Sequence, residues 1–162
     1  MQRRVPLWRR AREERWKPSR ILRELGITAP PIDAEEIATA LGVRVGYRGW
    51  APWAGKLSVE RDRPVILVTQ LGQTEARQRF TIAHELGHLL RDEPLDEAFR
   101  GHDAQRNSDR EVRANRFAAA LLMPLWMLDY AVPAMKGDLG KLAAAFGVSE
   151  QAMAFRLEKW GR

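Results

Sequence analysis

Hydrophobic positions recur at helical spacing along most of the chain and alternate in one short region. Between residues 43 and 69 the apolar residues alternate with polar ones or form β-branched runs, which predicts strands at 43–47, 56–59 and 64–69. On either side of this region the apolar residues repeat every three or four positions, as in helices that pack on a core. The pattern predicts an α+β fold, with a small antiparallel sheet of about three strands packed on helices.

Capping residues indicate where the helices begin and end. Asp33 and Gly42 bound a helix over 34–41, and Thr74 begins a longer helix that runs to about Arg91. The remaining predicted helices cover 19–25, 108–123, 124–130, 138–146 and 149–160. The polar stretch 91–107 is predicted to be a loop with at most one short helical turn, because it contains Pro94 and Gly101.

The longer predicted helix carries the candidate chemistry. It holds two of the three histidines, His84 and His88, with Glu85 directly after the first. Residues four apart share a helix face, so both imidazoles can reach one ion, and Glu85 lies about 100° around the helix beside it. A zinc peptidase needs two neutral nitrogen ligands and a carboxylate that deprotonates the metal-bound water. The apolar surroundings favour a metal site over two solvated histidines, because buried polar groups need partners.

A third zinc ligand is expected, and the motif does not fix it. The longer zinc-binding pattern is absent, since Arg91 and Pro94 stand where it requires Gly and His. The acidic and histidine candidates that follow are Asp92, Glu93, Asp96, Glu97, His102, Asp103, Asp109 and Glu111. Glu111 lies on the next predicted helix, and Asn115 one turn on suits an amide that orients a ligand imidazole. Ser108-x-x-Glu111 also fits a capping box, however, and His102 is a rival, so the residues alone leave the choice open.

Composition limits the other possibilities. The 162 residues include no cysteine, which excludes disulfides and thiolate zinc sites and fits the cytoplasm. No signal peptide is visible at the start, and the longest apolar run, 117–128, is too short to span a membrane. Residues 1–20 carry eight basic and two acidic side chains, which accounts for the whole net charge of +6. Such an arm could bind nucleic acid or an acidic partner, but more often it is a solvated or frayed helix.

Two sequence blocks resemble the ImmA/IrrE family of bacterial metallopeptidases. The first runs Arg79-Phe80-Thr81-Ile82-Ala83-His84-Glu85-Leu86-Gly87-His88-Leu89-Leu90, and the second Glu111-x-x-Ala114-Asn115-x-Phe117-Ala118-Ala119-x-Leu121-Leu122-Met123-Pro124. This resemblance, which covers about residues 30–125, implies one zinc ion bound by His84, His88 and Glu111, with Glu85 as general base. Arg113 departs from the family, in which an acid is common at that position.

The expected organisation is therefore a basic N-terminal arm (1–20), a zinc-peptidase core (21–135) and a C-terminal helical hairpin (136–162). The expected function is that of a zinc-dependent endopeptidase. The family resemblance further implies a cytoplasmic substrate, a helix-turn-helix repressor of a mobile element or a stress regulon. Peptide hydrolysis also needs a donor that stabilises the negative charge on the oxygen of the attacked carbonyl, and the candidates are Tyr47, Tyr130 and His102.

Two alternatives remain open. Residues 139–160 read like a helix-turn-helix, so the protein could be a DNA-binding regulator, although the second helix begins Ser149-Glu150-Gln151 and is poorly equipped for phosphate contacts. A helical hairpin that closes the core explains the same pattern better. The second alternative is a peptidase-like sensor that does not cleave.

Overall fold

The structure, a computed structural model, describes residues 5–91 and 104–161. Eight helices and three strands occur in these two ranges. In chain order they are α1 (Leu7–Glu13), α2 (Pro18–Glu24), α3 (Ala34–Leu41), β1 (Arg44–Arg48), β2 (Gly55–Glu60), β3 (Arg63–Thr69), α4 (Glu75–Arg91), α5 (Ala104–Leu122), α6 (Leu125–Ala134), α7 (Leu139–Phe146) and α8 (Glu150–Trp160). The predicted α+β class and the three strands are confirmed.

The sheet is mixed rather than wholly antiparallel. Its order is β1-β3-β2, with β2 antiparallel to β3 and β1 parallel to β3. The chain reverses once in the loop 49–54 and again at the turn between β2 and β3, so β1 and β3 run in the same direction. The central position suits β3, because Val65, Ile66 and Val68 are all buried. Within residues 5–91 and 104–161, no strand pairs with the other edge of β2.

Helix α4 packs on the sheet and lies along α5. The two helices approach closely at Gly87, where an added Cβ would lie 3.1 Å from the Ala114 Cα and 3.2 Å from the Phe117 Cβ. Small residues on both sides of a crossing allow the backbones to come together. The crossing therefore brings the first half of α5 next to the middle of α4.

The described part of the basic N-terminal arm, residues 5–20, packs against the core through its tryptophans and is not a solvated or frayed segment. Trp8 and Trp16 are only 6% and 1% exposed, and both belong to the main hydrophobic cluster. The Arg12 guanidinium donates to the Leu89 carbonyl, and Arg91 donates to the Trp16 carbonyl at 2.9 Å. Charge composition failed to predict this packing because two buried tryptophans, rather than the arginines, decide where the arm lies.

The two helices near the C-terminus match their predicted ranges closely. Asp138 caps α7, Ser149 caps α8, and Gly147 adopts the left-handed conformation between them at φ 64°. Phe146 and Met153 are fully buried in the same cluster as the rest of the core. The boundaries at residues 20 and 135 stay predictions, since both flanking parts share this core.

Helix α5 corrects a second prediction. It already includes Ala104, so residues 104–107 are helical rather than part of a loop, and Ser108 lies inside the helix. Helix α6 continues to Ala134, past the predicted end at Tyr130. Among the described residues no single helix is long and apolar enough to cross a membrane. The helices over 108–122 and 125–134 together have the length and composition of a span, but they are bent by 56° relative to each other.

Candidate metal centre

Three side chains from α4 and α5 converge on one point. The His84 Nε2 lies 2.9 Å from the Glu111 Oε2, and the His88 Nε2 lies 3.0 Å from the Glu111 Oε1. The two Nε2 atoms are 3.0 Å apart. Among the described residues these three form the only group of His, Asp or Glu side chains that could hold a metal ion.

Asn115 determines which nitrogen of His84 faces this point. Its Oδ1 lies 2.8 Å from the His84 Nδ1. An amide oxygen only accepts, so the Nδ1 must carry the hydrogen, and a neutral His84 then presents the Nε2 lone pair to His88 and Glu111. A hydrogen bond of this kind fixes the tautomer and the ring orientation of a metal-binding histidine.

The arrangement fits a divalent cation. A neutral His84 with its hydrogen on Nδ1 has none on Nε2, so its lone pair faces the Glu111 carboxylate and the His88 Nε2, an arrangement that a cation between these groups would stabilise. The proximity of the His84 ring nitrogen, and then of His88, holds the pKa of the Glu111 carboxyl well below its usual range, so this group stays anionic. Two imidazole nitrogens and one carboxylate at such separations form a typical catalytic zinc set, with bonds of about 2.0–2.2 Å and a fourth position for solvent.

Glu85 lies beside these three residues but in a different environment. It is only 8% exposed, and burial raises the pKa of its carboxyl, an effect that the nearby His88 and His84 oppose. A weaker interaction with the backbone of Leu57, on the edge strand β2, opposes the rise in this pKa as well. A buried carboxylate next to a candidate metal site has the placement and the raised pKa expected of a general base.

The capping-box interpretation of Glu111 is wrong. Ser108 lies inside α5, so it cannot be the residue that precedes and caps the helix. The start of the helix, which the polar sequence before Ser108 did not reveal, removes the capping role, and the ligand role of Glu111 stays a prediction.

The other candidates do not join the cluster or cannot be placed. Asp109 is exposed and outside the three-residue group. Asp92, Glu93, Asp96, Glu97, His102 and Asp103 lie outside the described residues. The Tyr47 hydroxyl donates to the Glu35 carboxylate, and Tyr130 is 79% exposed on α6, so neither shows the placement of an oxyanion donor.

Strand β2 reaches the same site. Gly55 lies against Thr81 and Glu85 of α4. Residue patterns alone predicted a strand at 56–59 but not this contact, although glycine in a strand often marks close backbone approach.

The family comparison bears directly on this site. A sequence profile of the IrrE N-terminal-like domain, peptidase M78, matches residues 38–158, which include all three converging side chains. The chain belongs to this family. Membership confirms the resemblance to ImmA/IrrE proteins and suggests a metallopeptidase. The matched range also includes most of the C-terminal hairpin.

Comparisons with individual proteins are more distant. No curated protein matched the sequence. Among solved structures, a Mycobacterium tuberculosis transcriptional regulator is similar, with a TM-score of 0.66 and 21% identity over 94% of this chain and 52% of that chain. At this identity the likeness shows a shared fold alone. The chain spans about half the length of that regulator.

Proposed function

We propose that the protein is a zinc-dependent endopeptidase in which His84, His88 and Glu111 bind one Zn²⁺ and Glu85 is the general base. The observation that carries this proposal is that the side chains of His84, His88 and Glu111 meet at about hydrogen-bond distance. A fourth side chain, the buried carboxylate of Glu85, lies beside them. Family membership supports it independently.

Each residue has a separate task. A bound zinc ion would supply Lewis acidity, which lowers the pKa of a water to about 7 and polarises a peptide carbonyl. Glu85 would accept a proton from the attacking water and return it to the leaving amine. Asn115 keeps the His84 Nε2 directed at the ion through its bond to the Nδ1.

The free edge of β2 offers a place for an extended substrate. Val59 is paired with Pro64, which has no N–H, so this is a non-hydrogen-bonded pair, and alternation makes the Leu57 pair one as well. The backbone groups of Leu57 and Val59 therefore point away from β3. Extended peptides commonly add to such an edge through main-chain hydrogen bonds. A substrate strand there would run past Glu85, which lies close to Gly55 of the same strand.

The proposed substrate is a helix-turn-helix repressor of a mobile element or a stress regulon, cleaved in the cytoplasm. Its support is the family resemblance. The structural neighbour is a transcriptional regulator, which fits a role in gene regulation but does not indicate a substrate.

The deciding experiment compares Glu85→Gln with the wild type on a quenched-fluorescence peptide library. The exposed Glu36→Gln on α3 is a matched control. We expect Glu85→Gln to retain stoichiometric zinc and to lose cleavage, because it keeps the shape of the side chain but cannot accept the proton. Retained cleavage in that variant would exclude Glu85 as the base. A wild type that binds zinc and cleaves nothing would support the non-cleaving sensor.

A DNA-binding regulator is the second candidate, on the strength of the two short helices α7 and α8 joined at Gly147. The charges of α8 argue against it, because the Arg156 Nε is bound to the Met123 carbonyl at 2.9 Å and Lys159 lies over the Phe155 ring. A DNA titration at two salt concentrations distinguishes the candidates: affinity that falls steeply with salt supports the regulator.

A further inference from the structure

We propose that Arg79 is a positioning residue for the metal centre. It connects α4, the helix that carries His84 and His88, to the pair of helices α7 and α8, and Arg156 connects this pair to the end of α5. The two arginines therefore bridge the two helices whose side chains form the metal centre. This inference rests on the proposed function, since it takes the three converging side chains as a zinc site.

Helices α4 and α5 run antiparallel across the metal centre. His88 of α4 contacts Glu111 of α5. His84, one turn earlier on α4, contacts Asn115, one turn later on α5. The N-terminal half of α4 therefore lies beside the C-terminal half of α5, which ends at Leu122. A connection across this end of the two helices can hold the angle between them.

The first arginine of the bridge contacts the end of α7. Arg79 precedes His84 by five residues on α4, and its Nη1 donates to the carbonyl of Gly147, which follows α7 directly. Carbonyl groups at the C-terminal end of a helix lack partners within the helix, and its dipole favours a cation there. The glycine leaves space for the guanidinium, because a Cβ at this position would lie 2.9 Å from the Arg79 Cζ and closer still to the Nη1.

The second arginine of the bridge contacts the end of α5. The Arg156 Nε, on α8, donates at 2.9 Å to the carbonyl of Met123, the residue after α5. This bond is partly buried, so water competes with it less than at an exposed position. Phe146 of α7 and Met153 of α8 are fully buried in the main hydrophobic cluster. Each arginine thus joins one metal-binding helix to the same well-packed pair of helices.

The first test removes the Arg79 bond from each side in turn. Arg79→Met keeps an unbranched side chain but removes the donor, and Gly147→Ala displaces the guanidinium without changing α4. Each variant should bind zinc about tenfold more weakly in competition with a chelator, as when a group that orients a metal ligand is lost. The double variant should bind zinc no more weakly than either single variant, because both substitutions remove the same bond.

Two control variants separate this effect from a general loss of stability. Gly137→Ala has the same backbone strain as Gly147→Ala, since the two glycines have φ of 70° and 64°, but a Cβ at Gly137 meets nothing within 4 Å. Arg77→Met removes an exposed arginine from α4 and so matches the change in charge. Both controls should bind zinc as tightly as the wild type.

The second test needs neither zinc nor cleavage. The chain has no cysteine, so spin labels can be attached through Glu75→Cys on α4 and Val112→Cys on α5, two exposed positions. The distribution of distances between the labels should widen in Arg79→Met and in Gly147→Ala, because the angle between the helices is no longer fixed. If the wild type binds no zinc, the proposed function fails, whereas this distance measurement still tests the bridge.

Two results would overturn the inference. One is a zinc affinity or a label distance that stays unchanged in folded Arg79→Met or Gly147→Ala; if one of these variants does not fold, the other decides. The second is an equal loss of zinc affinity in Gly137→Ala, since backbone strain alone would then explain the effect. Losses confined to the two bridge variants, with no further loss in the double variant, support the inference.

Discussion

Helix α4 is held in two different ways along its length. Its middle packs on α5 where Gly87 allows close approach, and there His84 and His88 contact Glu111 of α5. Its C-terminal end is closed by the N-terminal arm, through Arg12 on the Leu89 carbonyl and Arg91 on the Trp16 carbonyl. The proposed chemistry depends on the middle, and the end supplies stability. If the two parts are independent, substitutions at the middle should change zinc binding and substitutions at the end should change only the free energy of unfolding.

The largest effect is expected at the proposed third ligand. Glu111→Ala should abolish stoichiometric zinc binding, because two imidazoles alone leave the ion without the carboxylate that both ring nitrogens contact. Asp109→Ala, an exposed acid two positions away, is the control and should bind one zinc ion. Metal analysis after dialysis against a weak chelator measures both. Full zinc content in Glu111→Ala would remove Glu111 from the site.

The second effect concerns the arm. Trp16→Ala should lower the free energy of unfolding by about 3–5 kcal/mol, the usual cost of truncating a buried tryptophan. Trp50→Ala removes a tryptophan that is 71% exposed and should change it by less than about 0.5 kcal/mol. Urea unfolding of the two variants measures the difference. Equal losses would mean that the arm does not contribute to the core as its burial indicates.

The sequence predicted those features of α4 that depend on residues close together in the chain. His84 and His88 are one turn apart, so spacing alone placed them on one face, and Thr74 and Asp33 set helix starts through bonds to backbone amides within three residues. Residues alone left Glu111 open, because the choice depended on where α5 begins. The family resemblance, rather than spacing, favoured it.

The main unpredicted contacts join residues far apart in the chain. Arg12 contacts a carbonyl 77 positions away. Strand β1 pairs with β3, although β2 lies between them in the sequence. Arginine-rich segments have the same composition whether they face solvent or close a helix end. Local patterns therefore fixed the elements, but not which of them would meet.

The third prediction tests the crossing itself. Gly87→Val should lower the free energy of unfolding by about 2–3 kcal/mol, because its side chain meets the Ala114 backbone and Phe117 where no space remains. The same displacement of α5 should weaken zinc binding, since it moves Glu111 away from the histidines. Gly49→Val, in open surroundings, should change neither quantity measurably. Unchanged zinc affinity in a destabilised Gly87→Val would show that the crossing supports the core and not the metal centre.

The smallest effect is the most direct test of independence. Arg12→Ala removes a cation and donor from the end of α4 and should cost about 1 kcal/mol in the free energy of unfolding, as expected for a charge at a helix C-terminus together with a part-buried hydrogen bond. Arg9→Ala, exposed on the same helix, should cost less than about 0.5 kcal/mol. Zinc affinity should be the same in both variants, because His84 and His88 are held by α5 and Asn115 rather than by the arm. If Arg12→Ala weakened zinc binding as well, the end and the middle of α4 would form one unit, and the arm would have to be counted as part of the metal centre.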